Sequence, residues 1–205
     1  MRPSVVEIRD LHIQARHETR GKVSLSLGRG EVHAVLGGHG AGKTTLLETV
    51  AGLRPPASGS VETGAGGPAV VWREGGLFPG LTVAEVVDAW RRWTLDPLTR
   101  SEALRLTGLT DRASVTFERL DAAERRLLDL TLALVGRSDL LLLDEPFTGL
   151  DALSAARVRT VLRFLADSGT AVLFTTRDID EACRADRVTV LDARLPSAAR
   201  AGRAA

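Results

Sequence analysis

The chain has 205 residues, 44% of them hydrophobic, enough for one well-buried core with at most a small appended subdomain. Its 27 basic and 26 acidic residues leave a net charge of +1, which argues against nucleic acid or an anionic membrane surface as a partner. Apolar runs such as Leu140 to Leu143 fall far short of the ~20 residues of a membrane-spanning helix; no leader pattern opens the chain, and the lone Cys183 has no intrachain disulfide partner, so a cytoplasmic setting is expected. In chain order, strand-like runs "SVVEI", "VSLSL" and "EVHAVL" precede glycine-rich punctuation and a helical "KTTLLETVAG" ending at Gly52. Residues 54–68 are rich in turn formers and read as loop, with at most a short strand at Val61, before "AVVW" resumes a strand. From Thr82 to about Arg137 the pattern is helical: "TVAEVVDAWRRW", "SEALRL" and the amphipathic "DAAERRLLDLTLALVG". Strand "DLLLLD", helix "DALSAARVRTVLRFLAD", strand "TAVLFTT", helix "DIDEACRA" and strand "RVTVLD" then alternate, which implies a parallel sheet covered by helices. The tail, residues 193–205, is small and basic without periodicity and is expected to be disordered.

The stretch "GGHGAGKTT" carries the first chemistry. Gly37, Gly42, Lys43 and Thr44 satisfy G-x-x-x-x-G-K-[ST], and they follow a predicted strand and open a predicted helix, the context that a phosphate-binding loop needs. In such a loop the backbone amides of Gly37, Gly38, His39, Gly40, Ala41, Gly42, Lys43, Thr44 and Thr45 form an anion nest, and the helix N-terminus adds positive potential. The lysine neutralises the outer phosphates, and the Thr44 hydroxyl helps to hold magnesium. Lysine occurs otherwise only at Lys22, every remaining basic residue being arginine, so its presence in this loop is pointed.

About a hundred residues later "DLLLLDEPFTGLD" supplies the second half of a site. Four leucines form a buried strand that delivers Asp144 to its C-terminal end, where open parallel sheets bind ligands. Asp144 is expected to bind magnesium, directly or through water. Glu145 follows and is placed to orient an attacking water or take its proton.

With these motifs the chain resembles the ATP-binding cassette family, the nucleotide-binding subunits of membrane transporters. The resemblance runs from about Val5 to Asp192. It rests on "GGHGAGKTT" as Walker A, "LLLLDEP" as Walker B with its adjoining glutamate, "TGLD" ending at Asp151 as the D-loop, and "GLFPGLTVAEVV" as the segment after the Q-loop. It implies an α/β fold, a P-loop NTPase (RecA-like) core over residues 1–192 with an antiparallel β subdomain and a small helical subdomain between about Thr82 and Arg137. It also implies ATP and Mg2+ as cofactors, two such domains sandwiching ATP head to tail, and a separate transmembrane permease. The chain would then sit peripherally on the inner face of the cell membrane.

Family positions that depart from the pattern bear on mechanism. The Q-loop glutamine aligns with Arg73; a cation beside magnesium is unfavourable, so Arg73 is expected to turn to a phosphate or to solvent. The switch histidine is Arg177, which cannot shuttle a proton at neutral pH. It either stabilises transferring phosphoryl charge or makes a salt bridge to a carboxylate such as Asp178 or Asp180. No aromatic platform for adenine stands out between Ala15 and Thr19, His17 being the weak candidate. The signature, Leu-Ser-Gly-Gly-Gln in the family, is here Leu120, Asp121, Ala122, Ala123 and Glu124. A carboxylate in place of the serine repels a γ-phosphate by roughly 4 kcal/mol at 4 Å and an effective dielectric near 20. Asp121 and Glu124 also have capping-box spacing, so Asp121 is expected to cap its own helix. Either version weakens this signature, which favours a heterodimer with an intact partner cassette over a homodimer. By the resemblance the chain binds and hydrolyses ATP to drive the permease; the alternative function is an ATP-gated regulatory module that dimerises on ATP with little turnover. Trp90 and Trp93 share a helix face with arginines between them. They read either as subdomain core or as an anchor for the transporter's cytoplasmic helix.

Overall fold

The computed structural model describes residues 4–15, 18–64 and 67–191; the weak adenine candidate His17 and the tail 193–205 lie outside them. Two sheets organise the chain. β1 (Ser4–Ala15), β2 (Glu18–Gly28) and β4 (Ser60–Thr63) form an antiparallel sheet in the order β2-β1-β4. β3 (Val32–Leu36), β5 (Ala69–Val71), β6 (Leu140–Leu143), β7 (Ala171–Thr176) and β8 (Arg187–Val190) form a parallel sheet in the order β5-β6-β7-β3-β8.

The run of four leucines in β6 shows why the parallel strands read as uninterrupted apolar sequence. Leu141 and Leu143 join one core cluster, while Leu140 and Leu142 join the other, because successive side chains leave a strand on opposite faces. One cluster lies under α4 (Ala122–Leu134) and α5 (Ala152–Asp167), with Leu127, Leu130, Val158 and Leu162 buried against the sheet. The other packs α1 (Lys43–Val50), through Leu46 and Leu47, with Val6, Ile8 and Leu11 of the antiparallel sheet. Both faces are covered, which leaves the C-terminal ends of the strands as the ligand-accessible part of the sheet.

The stretch 82–137 holds α2 (Val83–Arg92), α3 (Arg100–Thr107) and α4. Each of the three begins with a capping box, Thr82 with Glu85, Thr99 with Glu102, and Asp121 with Glu124, which satisfies otherwise orphaned N–H groups at each start. Three elements differ from the sequence expectation. β2 begins at Glu18 rather than Val23, paired with β1 as far as Ala15. β1 runs on past Ile8 because a register shift between Ile8 and Leu11, with Asp10 at φ 48°, breaks the alternation while pairing with β2 continues. The helix expected over "DIDEACRA" is the single turn α6 (Ile179–Ala182), which Asp178 starts by accepting from the amides of Asp180 and Glu181.

Candidate active site

The C-terminal ends of the adjacent interior strands β6, β7 and β3 lie side by side at one end of the parallel sheet. Leu36 lies opposite Thr176 and Leu143 opposite Phe174, so the residues that follow these three strands are neighbours. The loop from Gly37 to Gly42 leaves β3 and turns into α1. Gly37 donates its amide to the Thr176 carbonyl at 3.1 Å, and a Cβ there would meet Ala41 at 2.9 Å. Gly40 and Gly42 have φ of 72° and 93°, a region that glycine adopts without strain and that sets the loop's curl. Gly42 is the N-cap of α1 and has no side chain to cap the helix's first amides, which among the described residues leaves them open to an anion.

Lys43 is buried in this curl. Its Nζ donates to the carbonyls of Gly37 at 2.8 Å and Gly38 at 3.0 Å, and lies 3.2 Å from Glu145 Oε1. Thr44 Oγ1 donates to Asp144 Oδ2 at 2.9 Å, joining loop to strand end across a hundred residues of sequence. Thr175 Oγ1 donates to the other oxygen, Oδ1, at 2.6 Å and accepts the Glu145 amide at 3.0 Å. Asp144 is thereby aimed at Thr44, and Glu145, at φ 47°, turns its carboxylate towards Lys43. Lys43, Thr44, Asp144 and Glu145, with His39, Gly40, Ala41, Gly42 and Thr45, line a cavity of about 470 Å³.

Arg177 corrects one expectation. Its partner is neither Asp178, whose carboxylate caps α6, nor Asp180, but Glu145: Nη2 donates to Oε2 at 2.7 Å. The strand order makes β6 and β7 neighbours and carries Arg177 to Glu145, a proximity that chain order hides. Arg73 Nε stands 3.8 Å from the same oxygen. Burial acts to raise the Glu145 carboxyl, but hydrogen bonds and charge from Arg177 and Lys43 outweigh it and hold the group below the ordinary glutamate range.

The residues Leu120 to Glu124 lie at the start of α4. Asp121 Oδ1 accepts the Glu124 amide at 2.7 Å and Glu124 Oε2 accepts the Asp121 amide at 3.0 Å. Glu124 is buried and pairs with Arg112 at 2.5 Å, while Asp121 and Ala122 are exposed. The helix start therefore carries its own carboxylate, which takes the Glu124 amide. Asp151 accepts from the Ser154 amide at 2.7 Å and starts α5. Trp93 corrects the reading of the tryptophan pair as core: it is 90% exposed, because it stands at the C-cap where α2 ends, and Trp90 is 47% exposed. Among the described residues their neighbour Arg91 turns to Asp88 and the Leu98 carbonyl rather than to the rings.

Sequence reasoning missed two positioning residues. Thr175, inside an apolar strand, orients both acids. Arg126, buried on α4, donates to the carbonyls of Trp72 at 2.9 Å and Arg73 at 2.8 Å. The available signal was an arginine on the apolar face of an amphipathic helix, one residue before Leu127 and four before Leu130.

The two outer donors, a threonine hydroxyl and a carboxylate, are hard oxygen ligands side by side and fit a magnesium ion that completes its shell with water and phosphate. Among the described residues no group of three or more His, Cys, Asp or Glu side chains is arranged to hold a metal without a ligand's help.

Residues 21–148 match the family described as ABC transporter. An aliphatic sulfonates import ATP-binding protein of Frankia alni is 40% identical over 188 residues, covering 87% of this chain and 74% of the relative. Its counterpart in Granulibacter bethesdensis is 41% identical over 197 residues, covering 92% and 80%. Among solved structures, an inward-facing metal-chelate type ABC transporter superposes with a TM-score of 0.81 at 25% identity, over 93% of this chain and 80% of that one. An ATP-binding subunit of an ABC transporter superposes with a TM-score of 0.73 at 22% identity, over 91% and 85%, a likeness of fold.

Proposed function

The chain belongs to the ABC transporter family, and from that membership and the site's geometry we infer that it is an ATP-binding subunit that hydrolyses ATP to drive a separate membrane permease. One observation carries the reading: the 2.9 Å bond from Thr44 to Asp144 closes a phosphate loop onto an acidic strand end, with Lys43 buried between them. The loop amides from Gly38 to Thr45, apart from that of Ala41, which donates to the Gly38 carbonyl at 3.3 Å, and the N-terminus of α1 receive the phosphates, and Lys43 neutralises the outer ones. Thr44 and Asp144 would hold magnesium, which when bound adds neutralising charge to the phosphates. Glu145 stays ionised and orients the attacking water, and Arg177 fixes the rotamer of that carboxylate.

In the family, the N–H groups at the start of the signature helix meet the opposite cassette's γ-phosphate. Here the Asp121 carboxylate takes the Glu124 amide and brings a negative charge to that helix start, which supports pairing with a second cassette whose signature is intact. In such a heterodimer the nucleotide held by Lys43 and Asp144 faces good contacts from the partner. The permease's cytoplasmic helix is proposed to seat in the cavity of about 590 Å³ beside Trp90, Gly76 and Phe78, with the chain peripheral on the inner face of the membrane. The names of the relatives make import the proposed direction and aliphatic sulfonates the first substrates to try.

ATP turnover of the purified chain with its copurifying permease tests the reading. Glu145→Gln is expected to lower turnover at least about a hundredfold while ATP affinity stays within about threefold. Retained turnover would remove Glu145 from its role.

A further inference from the structure

Three cations converge on Glu145, and its two oxygens are already committed to two of them. Oε1 faces Lys43 at 3.2 Å; Oε2 accepts from Arg177 at 2.7 Å and from Thr148 Oγ1 at 3.2 Å. Arg73 Nε, 3.8 Å from Oε2, is beyond hydrogen-bond range and is the surplus charge. The two arginines also stand on different sides of the carboxylate. Arg73 lines the phosphate cavity with Lys43, Thr44 and Asp144, whereas Arg177 lines a neighbouring cavity of about 440 Å³ beside Thr148 and Asp151.

We propose that Arg73 is a ligand of the nucleotide's terminal phosphate, swinging from Glu145 into the phosphate cavity while Arg177 keeps the carboxylate. The proposal deepens the ATPase reading and rests on it. The backbone beneath Arg73 is fixed, since buried Arg126 binds the carbonyls of Trp72 and Arg73 and Asp129 accepts the Gly76 amide at 3.2 Å. The side chain is 48% exposed, and among the described residues the 3.8 Å pair is its polar contact, so a held Cα carries a movable guanidinium at the mouth of the cavity. A guanidinium cannot ligate a metal ion, but its planar fork matches two phosphate oxygens. Moving it costs Glu145 little, because the shorter 2.7 Å hydrogen bond from Arg177 remains. Position 73 therefore supplies positive charge to the phosphate from within the same chain, while Asp121 puts a negative charge at the start of the signature helix.

The test is the affinity of the full chain for ATP and for ADP, measured by calorimetry with EDTA present, so that protein cations alone set the ratio, and again with magnesium. Wild type is expected to prefer ATP in EDTA. Arg73→Gln is expected to weaken ATP roughly tenfold or more and ADP by less than about threefold, with Arg73→Lys restoring part of the preference. ADP binding in the same variants reports that they are folded. Equal weakening of both nucleotides, no change in either, or no preference for ATP by wild type in EDTA overturns the role of Arg73. A wild-type chain that binds neither nucleotide even with magnesium overturns the ATPase reading and the role of Arg73 with it.

Discussion

Arg177 and Glu145 meet through a 2.7 Å hydrogen bond that ties the first residue after β7 to the second residue after β6. The contact exists because these strands are parallel neighbours and release their chain ends at one end of the sheet. A permanently charged guanidinium thus stands where the resemblance expects a titratable imidazole. Its effect is on the adjacent carboxylate, which it holds ionised and aimed.

Replacing Arg177 by Gln removes a charge-assisted hydrogen bond, a class that contributes about 1.5 to 3 kcal/mol. Steady-state kinetics are expected to show kcat for ATP falling roughly tenfold or more, with KM shifted less than about threefold. Arg177→Lys, which keeps the charge without the fork, should recover part of the rate. A rise in kcat would instead make Arg177 a restraint on Glu145.

At the start of α4, cap and repulsion can be separated. Asp121→Ala loses the acceptor for the Glu124 amide, and thermal unfolding is expected to report a loss of about 1 kcal/mol. Asp121→Ser keeps a capping oxygen and drops the carboxylate, so stability should hold within about 0.5 kcal/mol. Turnover in the chain's own dimer should rise. Unchanged turnover would show that charge at this helix end is not limiting.

His33 links stability to pH. It is 1% exposed on β3, with Nε2 2.8 Å from Thr189 Oγ1, and burial, aided by the charge of Arg187, lowers its pKa from 6.5 to about 4. Between those values the unfolded chain binds the proton and the folded one does not, so the contribution is full above pH 6.5 and is lost as pH falls towards 4. Urea unfolding at pH 7 and pH 5 should differ by about 2 kcal/mol more in wild type than in His33→Gln. Equal differences would rule out His33 as the source.

What was legible in the sequence was local. The phosphate loop declares itself within nine residues, and the Asp121 cap within four, because both are decided by backbone geometry at fixed spacing. The β6 run placed Asp144 and Glu145 at the C-terminal end of a buried strand, because a strand covered on both faces accommodates four leucines in a row. The pairing of Arg177 with Glu145 was not legible, since it depends on the order β6-β7-β3 rather than on neighbours in the chain. Trp93 misled for a related reason: its spacing from Trp90 suits a buried face, but the helix ends at Arg92 and leaves the ring in solvent. Arg126 escaped notice because hydrophobic periodicity does not say which polar residue on a buried face has carbonyls waiting for it.

The grip of Lys43 and its loop on the phosphates is tested most directly by calorimetric titration of Mg·ATP into the wild-type chain and into Lys43→Ala. Saturable binding by wild type, weakened at least about tenfold in the variant, is the expected result. No heat of association in wild type at millimolar ATP, or equal affinity in the two chains, would contradict it.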